Sequence, residues 1–149
     1  MDLVERSEVL DPAPAQSLAG LLGVSAPDLV GGEPLPLAWH WVYLLDRLPQ
    51  TALGPDGHAV RGTVPLPPGT GMRRMFAGGT LRAHGELVCG ERATRRTRVA
   101  GRTEKTGRSG PLLFLTVEHT ITQSGRVVVE DLQQLVYRTD ARRTDVDTA

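Results

Sequence analysis

The sequence predicts an α+β domain in which a short helix is followed by an antiparallel sheet. Residues 12–23 carry leucines at helical spacing, whereas the chain beyond residue 79 alternates apolar and polar side chains. Short turns containing glycine divide this alternating region into segments of strand length. A helix followed by strands joined through hairpins is typical of an α+β fold with an antiparallel sheet.

The length and composition indicate one globular domain. The 149 residues include 17 basic and 17 acidic side chains, and 40% of the residues are hydrophobic. No apolar run approaches the ~20 residues that span a bilayer, and the first residues lack the features of a signal peptide. With Cys89 as the single cysteine, a disulfide framework and a cysteine metal cluster are excluded. We expect a cytoplasmic protein with one domain over residues 1–138 and a disordered polar tail over 139–149.

The N-terminal part of the chain contains the predicted helix. Residues 1–11 are polar, and we expect them to be loosely ordered. The helix is predicted over 12–23, because Pro12 suits the first turn and Gly23 suits the C-cap. The apolar face of this helix is formed by Leu18, Leu21 and Leu22.

The middle of the chain is harder to assign. Residues 37–45 form an apolar run whose aromatic and β-branched content favours a strand, although its spacing also fits a helical face. Residues 46–72 hold five prolines and five glycines. A loop of this length in a compact domain is typically functional or disordered.

Four strands are predicted in the C-terminal half, joined by tight turns that contain glycine. Within the third of these strands, His119 shares one face with Leu113, Leu115, Val117 and Ile121. That face is predicted to lie in the core. The predicted strands cover residues 79–88, 91–104, 111–123 and 126–138.

Basic residues concentrate in one part of this neutral protein. Eight basic side chains lie between Arg82 and Arg108, against three glutamates. A zero net charge argues against a nucleic-acid binder, and we expect neither nucleic acid nor membrane as a partner. A local basic strip suits a ligand that carries phosphate, or an acidic carrier protein.

Four motifs carry a resemblance to a known family. They are Pro36-Leu37-Ala38-Trp39-His40-Trp41, Gly54-Pro55-Asp56-Gly57-His58, Arg73-Arg74-Met75-Phe76-Ala77-Gly78-Gly79, and residues 103–119 from Thr103-Glu104-Lys105-Thr106-Gly107-Arg108-Ser109-Gly110-Pro111 onward. With these motifs the chain resembles the N-terminal half of MaoC-like double hot-dog enoyl-CoA hydratases and dehydratases, including those that act on itaconyl-CoA and mesaconyl-CoA. The resemblance covers about residues 12–138 and implies a hot-dog fold, in which a curled antiparallel sheet wraps around a helix.

The resemblance also implies that this half does not carry the catalytic residues. In the family an Asp-His or Asn-His element of the form D/N-G-x-x-x-H or D-x-N-P-x-H lies in the second half. The Asp56-Gly57-His58 sequence does not match it, because Ala59, Val60 and Arg61 follow. The resemblance therefore implies the substrate-binding subunit of a two-component lyase, completed by a catalytic hot-dog chain in a heterodimer or heterotetramer. It implies a thioester of CoA or of acyl carrier protein as ligand, with no cofactor and no metal.

Candidate binding residues follow from the same motifs. The side chains and glycines that suit an acyl pocket are Trp39, His40, Trp41, Met75, Phe76, Gly78 and Gly79, although plain core packing explains the apolar ones equally well. The side chains that suit CoA phosphates or a carrier protein are Arg73, Arg74, Lys105 and Arg108, and solvated surface arginines are the alternative. His58 and His84 are expected to be a loop residue and a structural residue.

Two other functions remain open from the sequence. A self-sufficient homodimeric dehydratase would use His40 as a tentative catalytic base, with Asp46 or Asp56 as the acid. His40 lies between two tryptophans, where burial would perturb its pKa, but a buried structural histidine has the same sequence context. The third hypothesis is a non-catalytic module that binds acyl-CoA or serves as a scaffold.

Overall fold

The computed structural model describes residues 3–55, 57–60 and 72–139. Within this part of the chain, five strands and one α-helix are joined by two 3-10 turns at Trp39–Val42 and Gln50–Ala52. In chain order the main elements are β1 (Val4–Val9), α1 (Pro12–Leu22), β2 (Met72–Ala83), β3 (Arg92–Gly107), β4 (Gly110–Gln123) and β5 (Arg126–Thr139). None of the helices in these ranges is long and apolar enough to cross a membrane.

The strands form a single antiparallel sheet in the order β1-β3-β4-β5-β2. The long strands β3, β4 and β5 lie side by side in the centre. Their register shifts once between β3 and β4, at Val99/Gly101, and once between β4 and β5, at Ile121/Thr122. Such irregularities increase the twist and bend the strands, so the sheet has a concave face. The curled five-stranded sheet with one helix is the predicted hot-dog architecture.

The helix prediction is confirmed in position, in its first-turn proline and in its C-cap. Asp11 caps the N-terminus by accepting a hydrogen bond from the Ala13 amide at 2.7 Å, and Gly23 ends the helix with a φ of 67°. Pro12 occupies the first turn, where its missing N–H costs nothing. The buried face consists of Ala15 and Ala19 rather than the leucines, and Leu21 and Leu22 are exposed.

Residues 4–9 form a paired strand, so the prediction that residues 1–11 are loosely ordered was wrong for this part of the segment. β1 pairs with β3 over its whole length, from Val4 opposite Thr97 to Val9 opposite Arg92. Arg96 Nε donates a hydrogen bond to Glu5 Oε2 at 2.8 Å across this pair. The polar composition that suggested disorder is instead that of an edge strand, whose charged side chains meet the arginines of β3.

The predicted strand boundaries need one further correction. The second, third and fourth predicted strands agree with β3, β4 and β5, but the first begins at Met72 and ends at Ala83. Its early part was hidden because a register shift between Phe76 and Gly78 interrupts the alternation. Of the predicted disordered tail, Thr139 ends β5 and the rest lies outside the described residues.

The ambiguous segment 37–45 forms neither a strand nor an α-helix. It makes the short 3-10 turn Trp39–Val42, flanked by Ala38 and Leu44 with φ values of 77° and 57°. Two such left-handed residues end regular structure on both sides of the turn. The turn lies over the sheet, and Tyr43 and Leu44 are buried beneath it.

Two hydrophobic clusters fill the concave side. The larger joins the helix, the segment after it and one end of the sheet; among its members are Leu10, Ala15, Leu35, Tyr43, Leu44, Ile121 and Val129. The smaller occupies the other end of the central strands and consists of Leu113, Leu115, Val117, Leu135 and Tyr137, with Met72 and Val99 packed against it.

Candidate functional site

A band of polar side chains interrupts the apolar concave face where the three central strands meet. Arg95 of β3, His119 of β4, and Asp131 and Gln133 of β5 belong to it. In the sheet register His119 lies opposite Thr97 on one side and opposite Asp131 on the other. Because side chains alternate along a strand, these residues share the face that carries the hydrophobic clusters. The polar band therefore lies on the face that is otherwise core.

One part of this band is fully hydrogen-bonded, and we refer to Asp131, His40, Trp41 and Gln133 as the Asp131 cluster. The Asp131 Oδ2 atom lies 3.1 Å from His40 Nε2 and accepts a hydrogen bond from Trp41 Nε1 at 2.7 Å. Gln133 Nε2 donates to the same oxygen at 3.3 Å. Both His40 and Asp131 are buried, so the pair ties the 3-10 turn to the middle of the sheet.

The charge of Asp131 is stabilised by these partners. Burial acts to raise the pKa of Asp131, because it removes water from the carboxylate. The hydrogen bonds from His40, Trp41 and Gln133 outweigh that effect and lower the pKa below its ordinary value. Asp131 is therefore ionised at neutral pH, and its partners act as a structural anchor.

The other part of the band is incompletely bonded, and we refer to Arg95, His119 and Thr97 as the Arg95 group. His119 Nδ1 lies 2.6 Å from the buried Thr97 hydroxyl oxygen. The Nε atom of Arg95 is buried and has no hydrogen-bond partner. Among the ion pairs of the described residues, Asp46 is bound to Arg6 at 2.6 Å, and none involves Arg95.

Burial changes the pKa values of His119 and Arg95. Burial, and next the positive charge of Arg95, lower the pKa of His119 to about 4, so its imidazole is neutral at pH 7. Burial also lowers the pKa of Arg95, although a guanidinium still stays protonated. A half-buried cation without a direct counter-ion therefore lies beside a neutral imidazole.

A cavity of about 740 Å³ opens over the Arg95 group. Its volume lies within the range of small-molecule binding sites. Its apolar wall consists of Trp41, Leu45, Leu48, Leu53, Ala59 and Phe76. Its polar lining consists of Asp46, His58, Arg74, Arg95, His119 and Gln133. The arrangement suits a ligand with a carbon chain and a few polar groups.

The structure brings three of the sequence-predicted residues to this cavity, namely Trp41, Arg74 and Phe76. Trp39 packs partly buried against the larger hydrophobic cluster instead. Arg73 and Met75 alternate with Arg74 and Phe76 along β2, so their side chains leave the opposite face of the sheet.

The glycines Gly78 and Gly79 serve the backbone of β2. Gly78 has a φ of 149° at the register shift that follows Phe76. A Cβ atom on Gly79 would lie 2.5 Å from the Leu132 carbonyl oxygen, so only glycine fits there. Both glycines are required by the irregular pairing of β2 with β5.

The predicted phosphate-binding residues Lys105 and Arg108 lie at the far end of the β3–β4 hairpin. Lys105 Nζ is 5.2 Å from the centre of the Phe114 ring, and Arg108 lies in the turn. Neither residue lines the cavity under Trp41. These two residues and Arg74 are therefore not brought together by the fold.

His40 is buried and does not line the large cavity. It lines a small cavity of about 50 Å³ on the other side, with Leu35, Leu87 and Val129 among its neighbours. Of the two carboxylates considered as its acid, Asp46 lines the large cavity and pairs with Arg6, and Asp56 lies outside the described residues. His58 lines the large cavity, whereas His84 is half-exposed on the sheet with Glu130 2.6 Å away.

Sequence reasoning did not identify Arg95, Asp131 and Gln133 as site residues. The available signal was the alternation of side chains along a strand. Arg95 shares a face of β3 with buried Thr97, and Asp131 shares a face of β5 with buried Val129. Across residues 3–55, 57–60 and 72–139 no group of three His, Cys, Asp or Glu side chains could hold a metal ion.

The chain is similar to proteins whose names refer to acyl thioesters. A family model described as hydroxyacyl-thioester dehydratase type 2 matches residues 38–148. The chain is 42% identical over 126 residues to mesaconyl-C(4)-CoA hydratase of Chloroflexus aurantiacus. The match covers 83% of this chain but 45% of that protein, so the chain spans less than half the length of this relative.

Two solved structures share the fold. The ChsH1-ChsH2 complex from Mycobacterium tuberculosis matches 96% of this chain and 86% of its own chain, with a TM-score of 0.64 and 12% identity. The truncated HadBC complex, a 3R-hydroxyacyl-ACP dehydratase from the same organism, matches 91% of this chain and 98% of its own, with a TM-score of 0.58 and 12% identity. At this identity the likeness establishes the hot-dog fold alone.

Proposed function

Because this chain belongs to the hydroxyacyl-thioester dehydratase type 2 family, we propose that it is the substrate-binding half of a hydratase or dehydratase. The reaction adds or removes water across the 2,3-bond of an enoyl or β-hydroxyacyl thioester of CoA or a carrier protein. The catalytic Asp-His or Asn-His element lies on a partner hot-dog unit, and this chain shapes the acyl site.

The cavity on the concave face is the observation that carries this proposal. Its apolar wall, with Trp41 and Phe76 as the largest members, suits the carbon chain of an acyl group. Arg74 also lines it and suits a phosphate of the CoA moiety. Phe76 is 61% exposed in the isolated chain, as expected for a side chain that meets a substrate or a partner.

Acid–base chemistry is the part that a partner supplies. Hydration requires a base for the attacking water, an acid for C2 and donors for the enolate oxygen. His119 lines the cavity, but an imidazole with a pKa of about 4 is a weak base at neutral pH. His40 is held by Asp131 away from the cavity. A second hot-dog unit would also account for the length of the relative that this chain does not match.

The proposal includes the organisation of the chain. Residues 1–138 form one hot-dog domain, which pairs with a catalytic hot-dog chain as a heterodimer or heterotetramer. The single buried cysteine fits a cytoplasmic location, where thiols stay reduced.

A second candidate is a self-sufficient homodimeric dehydratase. The observation in its favour is the buried pair of His40 and Asp131, which has the form of a catalytic dyad. In that case the second copy or a conformational change would have to bring substrate to His40.

The test is enoyl-thioester hydration, followed by the loss of absorbance of the conjugated thioester. Crotonyl-CoA and mesaconyl-C4-CoA serve as substrates, the second because the Chloroflexus relative is a hydratase of that name. The chain is assayed alone and mixed with a separately purified hot-dog chain that carries the D/N-G-x-x-x-H element. We expect activity only in the mixture, lost when the partner's motif histidine is replaced by alanine.

Activity of the chain alone would contradict the proposal. If His40→Ala then abolished that activity while the variant stayed folded, the homodimeric dehydratase would be established instead. If neither the chain nor the mixture hydrates any thioester, and the chain binds none, the acyl-binding role itself is wrong.

A further inference from the structure

The half-buried guanidinium of Arg95 is the most unusual charge in the molecule. It projects from β3 into the cavity, whose polar lining also includes Gln133, His119 and Asp46. Its Nε atom is inaccessible to water and has no hydrogen-bond partner. Placing a cation in such a site costs free energy unless an anion and matching acceptors offset the loss of water.

The carboxylates near Arg95 are committed elsewhere. Asp46 binds Arg6 at 2.6 Å, and Asp131 is surrounded by its three partners in the Asp131 cluster. Glu8 interacts with Arg95 only at long range, and it pairs with Arg47 at 3.9 Å. The site therefore presents a positive charge without a direct counter-ion to a molecule in the cavity.

The neighbours of Arg95 add to the same chemistry. His119 is fixed at Nδ1 by the Thr97 hydroxyl and hydrogen-bonds the side chain of Gln133, whose Nε2 donates to Asp131 Oδ2. A neutral imidazole can serve as a donor to an anion without adding charge. Polar side chains from three adjacent strands, Arg95, His119 and Gln133, thus line the same cavity.

We propose that Arg95, with His119 beside it, binds a carboxylate carried by the acyl group of the thioester substrate. This inference rests on the proposed function, and it makes Arg95 a specificity-determining residue for acyl groups with a second anionic end. Arg95 forms the charged end of the acyl site, and the partner's catalytic groups act at the thioester end.

A phosphate of CoA is the other source of an anion for this site. The surroundings of Arg95 favour the acyl carboxylate, because Trp41, Leu45 and Phe76 line the same cavity. Apolar walls of this kind suit a carbon chain, whereas a diphosphate requires a solvated opening. The test includes ligands that separate these two sources.

The experiment uses two thioethers of CoA that cannot be hydrolysed. S-(3-carboxypropyl)-CoA and S-butyl-CoA differ only by a carboxylate in place of the terminal methyl group. Binding to the full chain is measured by isothermal titration calorimetry. Because hydrogen bonds to charged groups are strong, we expect the carboxypropyl thioether to bind about 10-fold more tightly or better.

Variants identify the residue responsible for the preference. In Arg95→Met the preference for the carboxypropyl thioether should disappear, while S-butyl-CoA binds as in the wild type. Arg95→Lys should keep a smaller preference, because it retains the charge and loses the planar fork. Arg96→Met is the matched control, since Arg96 lies next in sequence on the opposite face and pairs with Glu5.

Each result separates the inference from the proposed function. If both thioethers bind equally well, the carboxylate site is wrong and the acyl-binding role stands. If Arg95→Met weakens both thioethers equally, and S-(3-carboxypropyl)-pantetheine shows no preference over its butyl analogue, Arg95 binds a CoA phosphate instead. If neither thioether binds, the proposed function fails and this inference fails with it.

Discussion

The Asp131 cluster and the Arg95 group lie side by side on one sheet face and differ in how completely they are hydrogen-bonded. In the Asp131 cluster, one carboxylate oxygen meets three donors, and His40 and Asp131 are both buried. In the Arg95 group, the cation has no direct counter-ion and its Nε atom has no partner. Both groups interrupt the same apolar face. Trp41 and Gln133 of the first group and Arg95 and His119 of the second line the cavity, whereas the buried pair of His40 and Asp131 does not.

This difference separates a structural role from a binding role. A buried polar group with all its partners inside the chain fixes local packing, here the position of the turn that carries Trp41. A half-buried cation without a direct counter-ion destabilises the isolated chain, and an anionic ligand would offset that cost. Four experiments test this division, in order of decreasing effect.

Removal of the Asp131 carboxylate should have the largest effect. Asp131→Ala leaves His40, Trp41 and Gln133 without their acceptor, and breaking such a buried pair costs about 3–5 kcal/mol. Urea unfolding followed by circular dichroism measures this cost. The matched control is Glu130→Ala, which removes a half-exposed partner of His84 and should cost less than about 1 kcal/mol. Similar losses in the two variants would contradict a structural role for the cluster.

The second largest effect is expected in the pH dependence of stability, through His119. Because the folded pKa of about 4 lies below the ordinary value of 6.5, folding favours the neutral imidazole. The stability that His119 contributes is present above pH 6.5 and is lost as the pH falls from 6.5 to 4, amounting to about 3 kcal/mol. His119→Gln should flatten the dependence of unfolding free energy on pH in this window. Parallel curves for variant and wild type would show that burial of His119 is not the cause.

The indole of Trp41 provides a smaller test of the Asp131 cluster. Trp41→Phe removes the hydrogen bond of 2.7 Å to Asp131 and keeps an aromatic ring at the cavity. Hydrogen bonds to charged groups contribute about 1.5–3 kcal/mol, and Trp41 is 50% exposed, so we expect a loss of about 1–2 kcal/mol. A variant as stable as the wild type would remove Trp41 from the structural anchor.

The smallest change in stability, and one of opposite sign, is expected when Arg95 is replaced. Arg95→Met replaces a half-buried cation without a direct counter-ion by an apolar side chain of similar length. Such replacements are neutral or stabilising, here by about 0–1 kcal/mol. The midpoint of thermal unfolding should therefore stay constant or rise. A clear fall would show that Arg95 is a structural residue with a role like that of Asp131.

Local signals in the sequence were sufficient for much of the fold. Pro12 and Gly23 define the ends of the helix, and strict alternation defines the core face of β4, including His119. β1 was missed because its stability comes from pairing with β3, through contacts such as that of Glu5 with Arg96, and not from its own apolar residues. Edge strands of this kind have no hydrophobic pattern to detect.

The site was less accessible from the sequence, because its partners are far apart in the chain. His40 and Asp131 are separated by 91 positions, and only the sheet register and the 3-10 turn bring them together. Register shifts at Val99/Gly101 and Ile121/Thr122 decide which side chains of β3, β4 and β5 are neighbours. A single sequence shows which side chains share a face of a strand, but it does not give the register between strands.

The most direct test of the account observes the Arg95 guanidinium itself during binding. Its Nε–Hε resonance in a ¹⁵N-labelled chain is assigned by its absence from Arg95→Met, and the Trp41 indole N–H serves as a reference. We predict that S-(3-carboxypropyl)-CoA shifts the Arg95 resonance strongly and that S-butyl-CoA does not. The chemical shift of the Trp41 indole N–H should stay unchanged with either ligand, because its hydrogen bond to Asp131 is retained. An unchanged Arg95 resonance in the presence of saturating carboxypropyl thioether would contradict the assignment of this group to ligand binding.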